Sequence, residues 1–178
     1  MGDPSTPVSA QLLSEAEIAE RVDRLAATIA PRLTDDTIAV CLLTGGLWFA
    51  ADLTRALYRH GRNLKFDALW IASYGDEHVT SGRVLLRAGL QRPVTGKPVL
   101  VIDDVMDSGL SLMEAVRLLK DAGAASVLTA VFARKPWPEP RSAQCDFVAW
   151  EAPGRFLAGY GMDVAGAYRG LPGVCALD

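Results

Sequence analysis

Short apolar runs alternate along the chain with segments whose apolar residues recur every three or four positions. The runs at 37–43, 64–72, 99–102, 126–133 and 146–151 predict strands, several of them buried on both faces. Helical spacing predicts helices over 47–60 and 110–122, and a capping-box pattern at Ser14 and Glu17 starts an earlier helix. Strands alternating with helices favour an α/β fold with right-handed crossovers in a mostly parallel sheet.

Composition narrows the functional classes. The chain has 178 residues, half of them hydrophobic, which favours one domain with a full core. A net charge of −3 argues against a large nucleic-acid surface. Cys41, Cys145 and Cys175 are far apart, which favours reduced thiols and a cytoplasmic location. His60 and His78 lack the spacing of metal ligands or of a Ser-His-Asp triad, and no apolar run is long enough to span a membrane.

The stretch at 99–112, V-L-V-I-D-D-V-M-D-S-G-L-S-L, carries the strongest chemical pattern. A buried strand ends at Asp103 and Asp104, and Asp107 follows in a turn that leads into a helix. Small residues at a helix start expose backbone N–H groups, which bind phosphate well. Acids beside them suit sugar hydroxyls, Mg²⁺ or a developing positive charge. A nucleoside triphosphatase strand is the weaker interpretation, because the G-x-x-x-x-G-K-[ST] loop is missing, and a solvated strand–turn–helix remains the alternative without chemistry.

Candidate residues fall at the ends of four separate predicted strands. Thr44, Ser73, Asp103 and the pair 134–135 each follow or end an apolar run. In parallel sheets, ligands bind beyond the carboxyl ends of the strands. We therefore expect these residues to line one crevice.

The 99–112 stretch resembles the phosphoribosyl-pyrophosphate (PRPP) motif of the type I phosphoribosyltransferases. The turn at Gly45 and Gly46, the following W-F-A-A-D-L, and the tail G-Y-G-M-D-V-A-G-A-Y-R-G-L-P resemble the hypoxanthine-guanine members of that family. The resemblance covers about 14–178 and implies a central, mostly parallel, twisted sheet flanked by helices. It also implies a small hood subdomain over the base site, formed by the N-terminal segment and about 134–178. We expect residues 1–10 to be a flexible arm and 11–178 a single domain.

The resemblance implies a role for each candidate. Asp103 and Asp104 would bind the ribose hydroxyls and, through these or water, Mg²⁺. The loop implied to hold the 5′-phosphate is Asp107, Ser108, Gly109, Leu110 and Ser111, with Asp107 also accepting or sharing the N7 proton of the base. Backbone amides of Thr44 and Gly45 would hold pyrophosphate, and Ser73 and Tyr74 would begin a lid that excludes water. In the base site, Lys135 would donate to the 6-oxo group, Phe147 would stack on the ring and Val148 would offer backbone groups.

Two positions depart from the family pattern. Thr44 stands where Lys or Arg is usual, so this loop lacks a charge. Gly154 stands where the family has an Asp, so a second Mg²⁺ site would be weakened or rebuilt, with Glu151 as the candidate. Arg141 and Arg155 are further candidates for pyrophosphate contact.

The implied activity is transfer of the phosphoribosyl group of PRPP to hypoxanthine, guanine or xanthine, giving a nucleoside monophosphate such as IMP, and pyrophosphate, in purine salvage. Mg²⁺ is the expected cofactor and a homodimer or homotetramer the expected assembly, with no membrane or nucleic-acid partner. A PRPP-binding regulator that attaches to nucleic acid is the alternative. An acceptor such as adenine is disfavoured, because the Lys135 ammonium can only donate.

Overall fold

The computed structural model describes residues 8–73, 84–138, 140–141 and 143–177. Within them the elements are β1 (Val8–Leu13), α1 (Glu15–Ile29), β2 (Ile38–Leu43), α2 (Leu47–Arg59), β3 (Lys65–Ser73), β4 (Val84–Ala88), β5 (Pro98–Met106), α3 (Leu110–Asp121), β6 (Ser126–Arg134), β7 (Phe147–Glu151), β8 (Phe156–Ala158) and β9 (Val174–Leu177). A short 3-10 helix, Ala30–Arg32, follows α1. The predicted strands and helices are all present, with boundaries shifted by a few residues.

The central sheet has six strands in the order β4-β3-β2-β5-β6-β7. Only the pairing of β3 with β4 is antiparallel, and the other four pairings are parallel. The prediction of a mostly parallel sheet is therefore confirmed. Its parallel strands are buried on both faces, which explains their continuous apolar sequences.

Helices cover both faces of this sheet. Along β5, Leu100 and Ile102 pack into the core beneath α1 and α2, whereas Val99 and Val101 pack into the core beneath α3. This alternation follows from the two-residue period of a strand. The start of α1 has the predicted capping box, because Ser14 Oγ accepts from the backbone N of Glu17 at 3.3 Å and the Glu17 carboxylate accepts from the Ser14 backbone N at 2.8 Å. No described helix is long and apolar enough to cross a membrane.

A second, three-stranded antiparallel sheet joins the two ends of the chain in the order β1-β9-β8. Strand β1 pairs with β9 through Ala10 and Ala176. The prediction of a flexible arm over residues 1–10 was therefore wrong for residues 8–10, because pairing with a distant strand supplies the order that the local composition does not. Residues 1–7 lie outside the described part of the chain.

Strand β5 extends further than the apolar run predicted. Its parallel pairing with β6 continues to Met106 and Arg134, so Asp103 and Asp104 lie within the strand. The ladder thus fixes the backbone of both acids before the turn at Asp107 begins. This places the acids and the turn at the carboxyl edge of the sheet.

Candidate functional site

A cavity of about 430 Å³ opens at the carboxyl ends of β2 and β5. Its walls combine the end of β5, the turn before α3, the glycine turn before α2 and part of the C-terminal tail. The polar and charged residues that line it include Asp103, Asp104, Asp107, Ser108, Ser111, Asp163 and Arg169. A cavity is thus present at the predicted strand ends, but of Thr44, Ser73, Asp103 and the pair 134–135 only Asp103 belongs to its lining.

The ribose-phosphate segment, which we define as residues 103–111, forms one continuous wall of this cavity. Gly109 precedes α3 with φ of +85°, a left-handed conformation that favours glycine. No side chain caps the start of α3 at Gly109. The Leu110 N donates to Ser108 Oγ at 3.4 Å, and the next N–H groups of the first turn suit an anion.

The carboxyls of Asp103 and Asp104 are packed side by side at the base of the cavity. Burial raises the pKa of both groups, and the charge of Asp104 further raises that of Asp103. Backbone N–H groups oppose this effect, because the Val105 N donates to Asp104 Oδ1 at 2.8 Å and the Asp104 N donates to Asp103 Oδ1 at 3.0 Å. The pair is therefore suited to a ligand that stabilises its charge, such as sugar hydroxyls or a cation.

The glycine turn lies directly against these acids. A Cβ built on Gly45 would meet Asp104 Oδ2 at 1.8 Å, so only glycine allows this approach. The peptide bond from Leu43 to Thr44 is cis. Gly45 lines the cavity, and Thr44 is exposed beside it. Gly45, one of the two residues predicted to contact pyrophosphate, thus lines the cavity, and Thr44 precedes it in the chain.

The C-terminal tail closes on the glycine turn. A Cβ on Gly161, whose φ is +98°, would lie 2.2 Å from the Gly45 carbonyl oxygen. The neighbouring Tyr160 donates its hydroxyl to Asp52 Oδ2 on α2 at 2.9 Å. These contacts fix the tail to the turn and to the helix that follows it.

Lys135 lies at the end of β6 and reaches the ribose-phosphate segment. Its Nζ is 3.4 Å from Asp107 Oδ1, and its backbone N donates to the Met106 carbonyl at 3.1 Å. The same Nζ lies 5.8 Å from the ring centroid of Phe156. The two residues predicted to act on the base, Lys135 and Asp107, are therefore adjacent.

Phe147 and Val148, whose contacts with the base stay predictions, lie in β7. Phe147 is only 8% exposed and packs in the core beneath α1 and α2. Val148 packs against the opposite core cluster. Neither residue lines the cavity. Phe156 is 55% exposed beside Lys135, and Trp137, which is 40% exposed, is an aromatic residue of the cavity lining.

Sequence reasoning also missed Asp163 and Arg169, which line the cavity and form an ion pair of 2.7 Å. Both belong to the C-terminal tail that resembles the hypoxanthine-guanine members of the family. An acid six positions before an arginine in this tail was the signal that could have identified them. The sequence instead suggested Glu151, near Gly154, as the further carboxylate of the site. Glu151 pairs with Arg134 and does not line the cavity.

The remaining candidates are the predicted lid residues, Arg141 and a metal site. Ser73 ends β3, and Tyr74, with the rest of the predicted lid up to residue 83, lies outside the described residues. Arg141 donates to the backbone carbonyls of Asp107 and Lys135. The described residues contain no cluster of three or more His, Cys, Asp or Glu side chains placed to hold a metal ion.

We define the base side as Lys135, Phe156, Asp163 and Arg169. Asp163 and Arg169 line the cavity together with the ribose-phosphate segment, whereas Lys135 contacts Asp107 and lies beside Phe156. The arrangement offers amides for a phosphate, carboxyls for hydroxyls, and a cation and an aromatic ring for a planar group.

Comparison with known proteins agrees with this geometry. The family model described as "Phosphoribosyl transferase domain" matches residues 9–164. The hypoxanthine-guanine phosphoribosyltransferase of Bacillus subtilis is 36% identical over 162 residues, covering 90% of this chain and 88% of the relative. The protein of the same name from Dictyostelium discoideum is 34% identical, covering 90% and 91%.

Solved structures match over nearly the whole chain. A hypoxanthine phosphoribosyltransferase of Staphylococcus aureus superimposes with a TM-score of 0.86 at 26% identity, covering 96% of this chain and 91% of that one. A hypoxanthine-guanine phosphoribosyltransferase of Bacillus anthracis gives 0.86 at 30% identity, covering 97% and 100%. Fold, cavity and sequence agree, and the chain belongs to the phosphoribosyl transferase domain family, among its hypoxanthine-guanine phosphoribosyltransferases.

Proposed function

We propose that the chain transfers the 5-phosphoribosyl group of PRPP to N9 of a 6-oxopurine, releasing pyrophosphate and forming the nucleoside monophosphate. One observation carries the proposal. The ribose-phosphate segment lines one cavity, and Lys135 Nζ lies 3.4 Å from Oδ1 of Asp107 in that wall. A sugar phosphate and a base with a hydrogen-bond acceptor can therefore be held side by side.

The ribose-phosphate segment would bind the common part of substrate and product. N–H groups at the start of α3 and the hydroxyls of Ser108 and Ser111 would hold the 5′-phosphate. Asp103 and Asp104 would accept hydrogen bonds from the ribose hydroxyls. Ionised carboxylates here also offset the positive charge that develops at C1′ as pyrophosphate departs.

The base side would orient the purine. The Lys135 ammonium donates only, so it suits a 6-oxo acceptor and not an adenine amino group. Phe156 offers an exposed ring for stacking. Asp107, already paired with Lys135, is placed to take the N7 proton, which would raise the electron density of the attacking ring. Val148 would offer backbone groups to the purine edge, because β7 is an edge strand of the central sheet and the packing of the Val148 side chain leaves that role open.

The leaving pyrophosphate would lie at the glycine turn. Backbone N–H groups of Thr44 and Gly45 would face it, and Arg169 would supply a positive charge that Thr44 does not. Asp103, Asp104 and Asp163 line the cavity without forming a metal-binding cluster of their own, so Mg²⁺ would be held mainly through substrate oxygens and water, with one or two of these carboxylates. When bound, Mg²⁺ would offset charge on the leaving group.

Two expectations extend beyond the described residues. Ser73 and Tyr74 would begin a lid that keeps water from the ribosyl cation. A homodimer or homotetramer remains a prediction from the family. The alternative of a nucleic-acid-binding regulator receives no support from the relatives, and the net charge of −3 also disfavours it.

The proposal is tested by assaying the purified chain with PRPP and Mg²⁺ against hypoxanthine, guanine, xanthine and adenine. We expect at least one 6-oxopurine to exceed adenine by about 100-fold or more in kcat/KM, because adenine would leave Lys135 opposite a donor. Ribose 5-phosphate in place of PRPP is the control and should give no nucleotide. Equal use of adenine, or no transfer to any 6-oxopurine, would contradict the proposal.

A further inference from the structure

The loop between β6 and β7 packs on the ribose-phosphate segment. A Cβ on Gly109 would lie 3.2 Å from the backbone N and 3.3 Å from the carbonyl oxygen of Ala143. Trp137, on the same loop, lines the cavity beside Asp107. This loop is therefore part of the wall of the site, although its sequence shows no motif.

One side chain of this loop joins the two halves of the site. Arg141 Nε donates to the backbone carbonyl of Asp107 at 3.1 Å, and Arg141 Nη2 donates to the backbone carbonyl of Lys135. Its acceptors belong to the two residues that the proposed function assigns to the base. The side chain of Lys135 also meets Asp107, so the guanidinium closes a ring of contacts around this pair.

We propose that Arg141 is a positioning residue that sets the distance between Lys135 and Asp107. A guanidinium presents several N–H groups in a planar, rigid fork, so it can hold two carbonyls at a fixed separation. Lysine keeps the charge but not the fork. The sequence suggested that Arg141 contacts pyrophosphate. In the structure its guanidinium instead donates to the backbone carbonyls of Asp107 and Lys135.

This inference rests on the proposed function, and its kinetic test is a double-mutant cycle. Arg141→Ala should lower kcat/KM for the best 6-oxopurine by about tenfold, because a small displacement of reacting groups costs catalysis steeply. Arg141→Lys should lose less. In a Lys135→Met background the loss from Arg141→Ala should shrink to about threefold or less, since residues that act through one another are not additive. Arg24→Ala, an exposed α1 residue paired with Glu20, is the matched control and should change nothing.

A second measurement does not depend on turnover. Amide hydrogen exchange of residues 107–112 should speed up in Arg141→Ala and Arg141→Lys but not in Arg24→Ala. Equal kinetic losses in both Lys135 backgrounds would overturn the inference, as would unchanged exchange. If the wild-type chain transfers to no 6-oxopurine, the proposed function fails, and hydrogen exchange alone then decides whether Arg141 holds the two segments together. If Arg141→Ala does not fold, Arg141→Lys carries both measurements.

Discussion

The ribose-phosphate segment and the base side are neighbours, but they are built differently. The first is a single run of nine residues at the end of one strand and the start of one helix. The second is assembled from β6, the start of β8 and the tail. A continuous segment carries its geometry in local backbone structure, whereas an assembled surface depends on contacts between distant residues. The first was therefore readable from the sequence, and part of the second was missed.

The largest effect is expected in the ribose-phosphate segment. Asp107→Asn removes the proton acceptor next to Lys135 and should lower kcat by about 100-fold, within the usual range for lost acid–base catalysis. Steady-state kinetics with saturating PRPP measures it. Asp121→Asn, at the exposed end of α3, is the control and should retain full kcat. Near wild-type turnover in a folded Asp107→Asn protein would remove Asp107 from the chemistry.

The contact between the tail and the glycine turn gives the next effect. Gly161→Ala forces a Cβ against the Gly45 carbonyl at a positive φ, so it should reduce the free energy of unfolding by about 2–4 kcal/mol and raise KM for PRPP. Gly170→Ala, where a Cβ meets nothing within 4 Å, should leave both unchanged. Thermal unfolding and kinetics measure the two quantities. Equal behaviour of the two variants would show that the tail does not shape the turn.

Substitutions of Phe147 and Phe156 test which of the two aromatic residues contacts the base. Phe147→Ala should cost about 3 kcal/mol of stability, as for other buried phenylalanines, because it opens a cavity in the core. Phe156→Ala should cost little stability but raise KM for the base about tenfold, the scale of lost aromatic stacking. Chemical denaturation and kinetics on both variants separate the assignments. A larger KM effect at Phe147 would support the interpretation from sequence.

The smallest effect concerns pH. Because the pKa of Asp103 is raised in the folded protein, the folded state holds more protons than the unfolded state between the two pKa values. The free energy of unfolding of the protein without ligand should therefore fall as pH rises from the unfolded-state pKa of Asp103 to its folded-state pKa. Asp103→Asn should flatten this fall and stabilise the protein at pH 7 by on the order of 1 kcal/mol, while weakening PRPP binding. Unfolding measured from pH 4 to 8 tests this, and a steeper fall in the variant would reverse the sign.

Prediction from the sequence succeeded where local pattern and structure coincide. Asp103, Asp104 and the loop from Asp107 lie at the cavity because a strand, a turn and a helix start follow one another in the chain. It leaves the role of Phe147 open, because an aromatic residue after an acid at a strand start is compatible with either core or site. It failed at residues 8–10, whose order comes from pairing with β9.

The sequence by itself determined the alternation of strands and helices, the acidic strand end and the phosphate-binding helix start. These depend on period, charge and glycine placement within a few neighbouring residues. Only the tertiary structure decided that Phe156 lies beside Lys135, that Asp163 and Arg169 enter the cavity, and that Arg141 donates to the backbone carbonyls of Asp107 and Lys135. Those outcomes depend on which side chains of distant segments become buried when the chain packs, and burial is set by the whole fold.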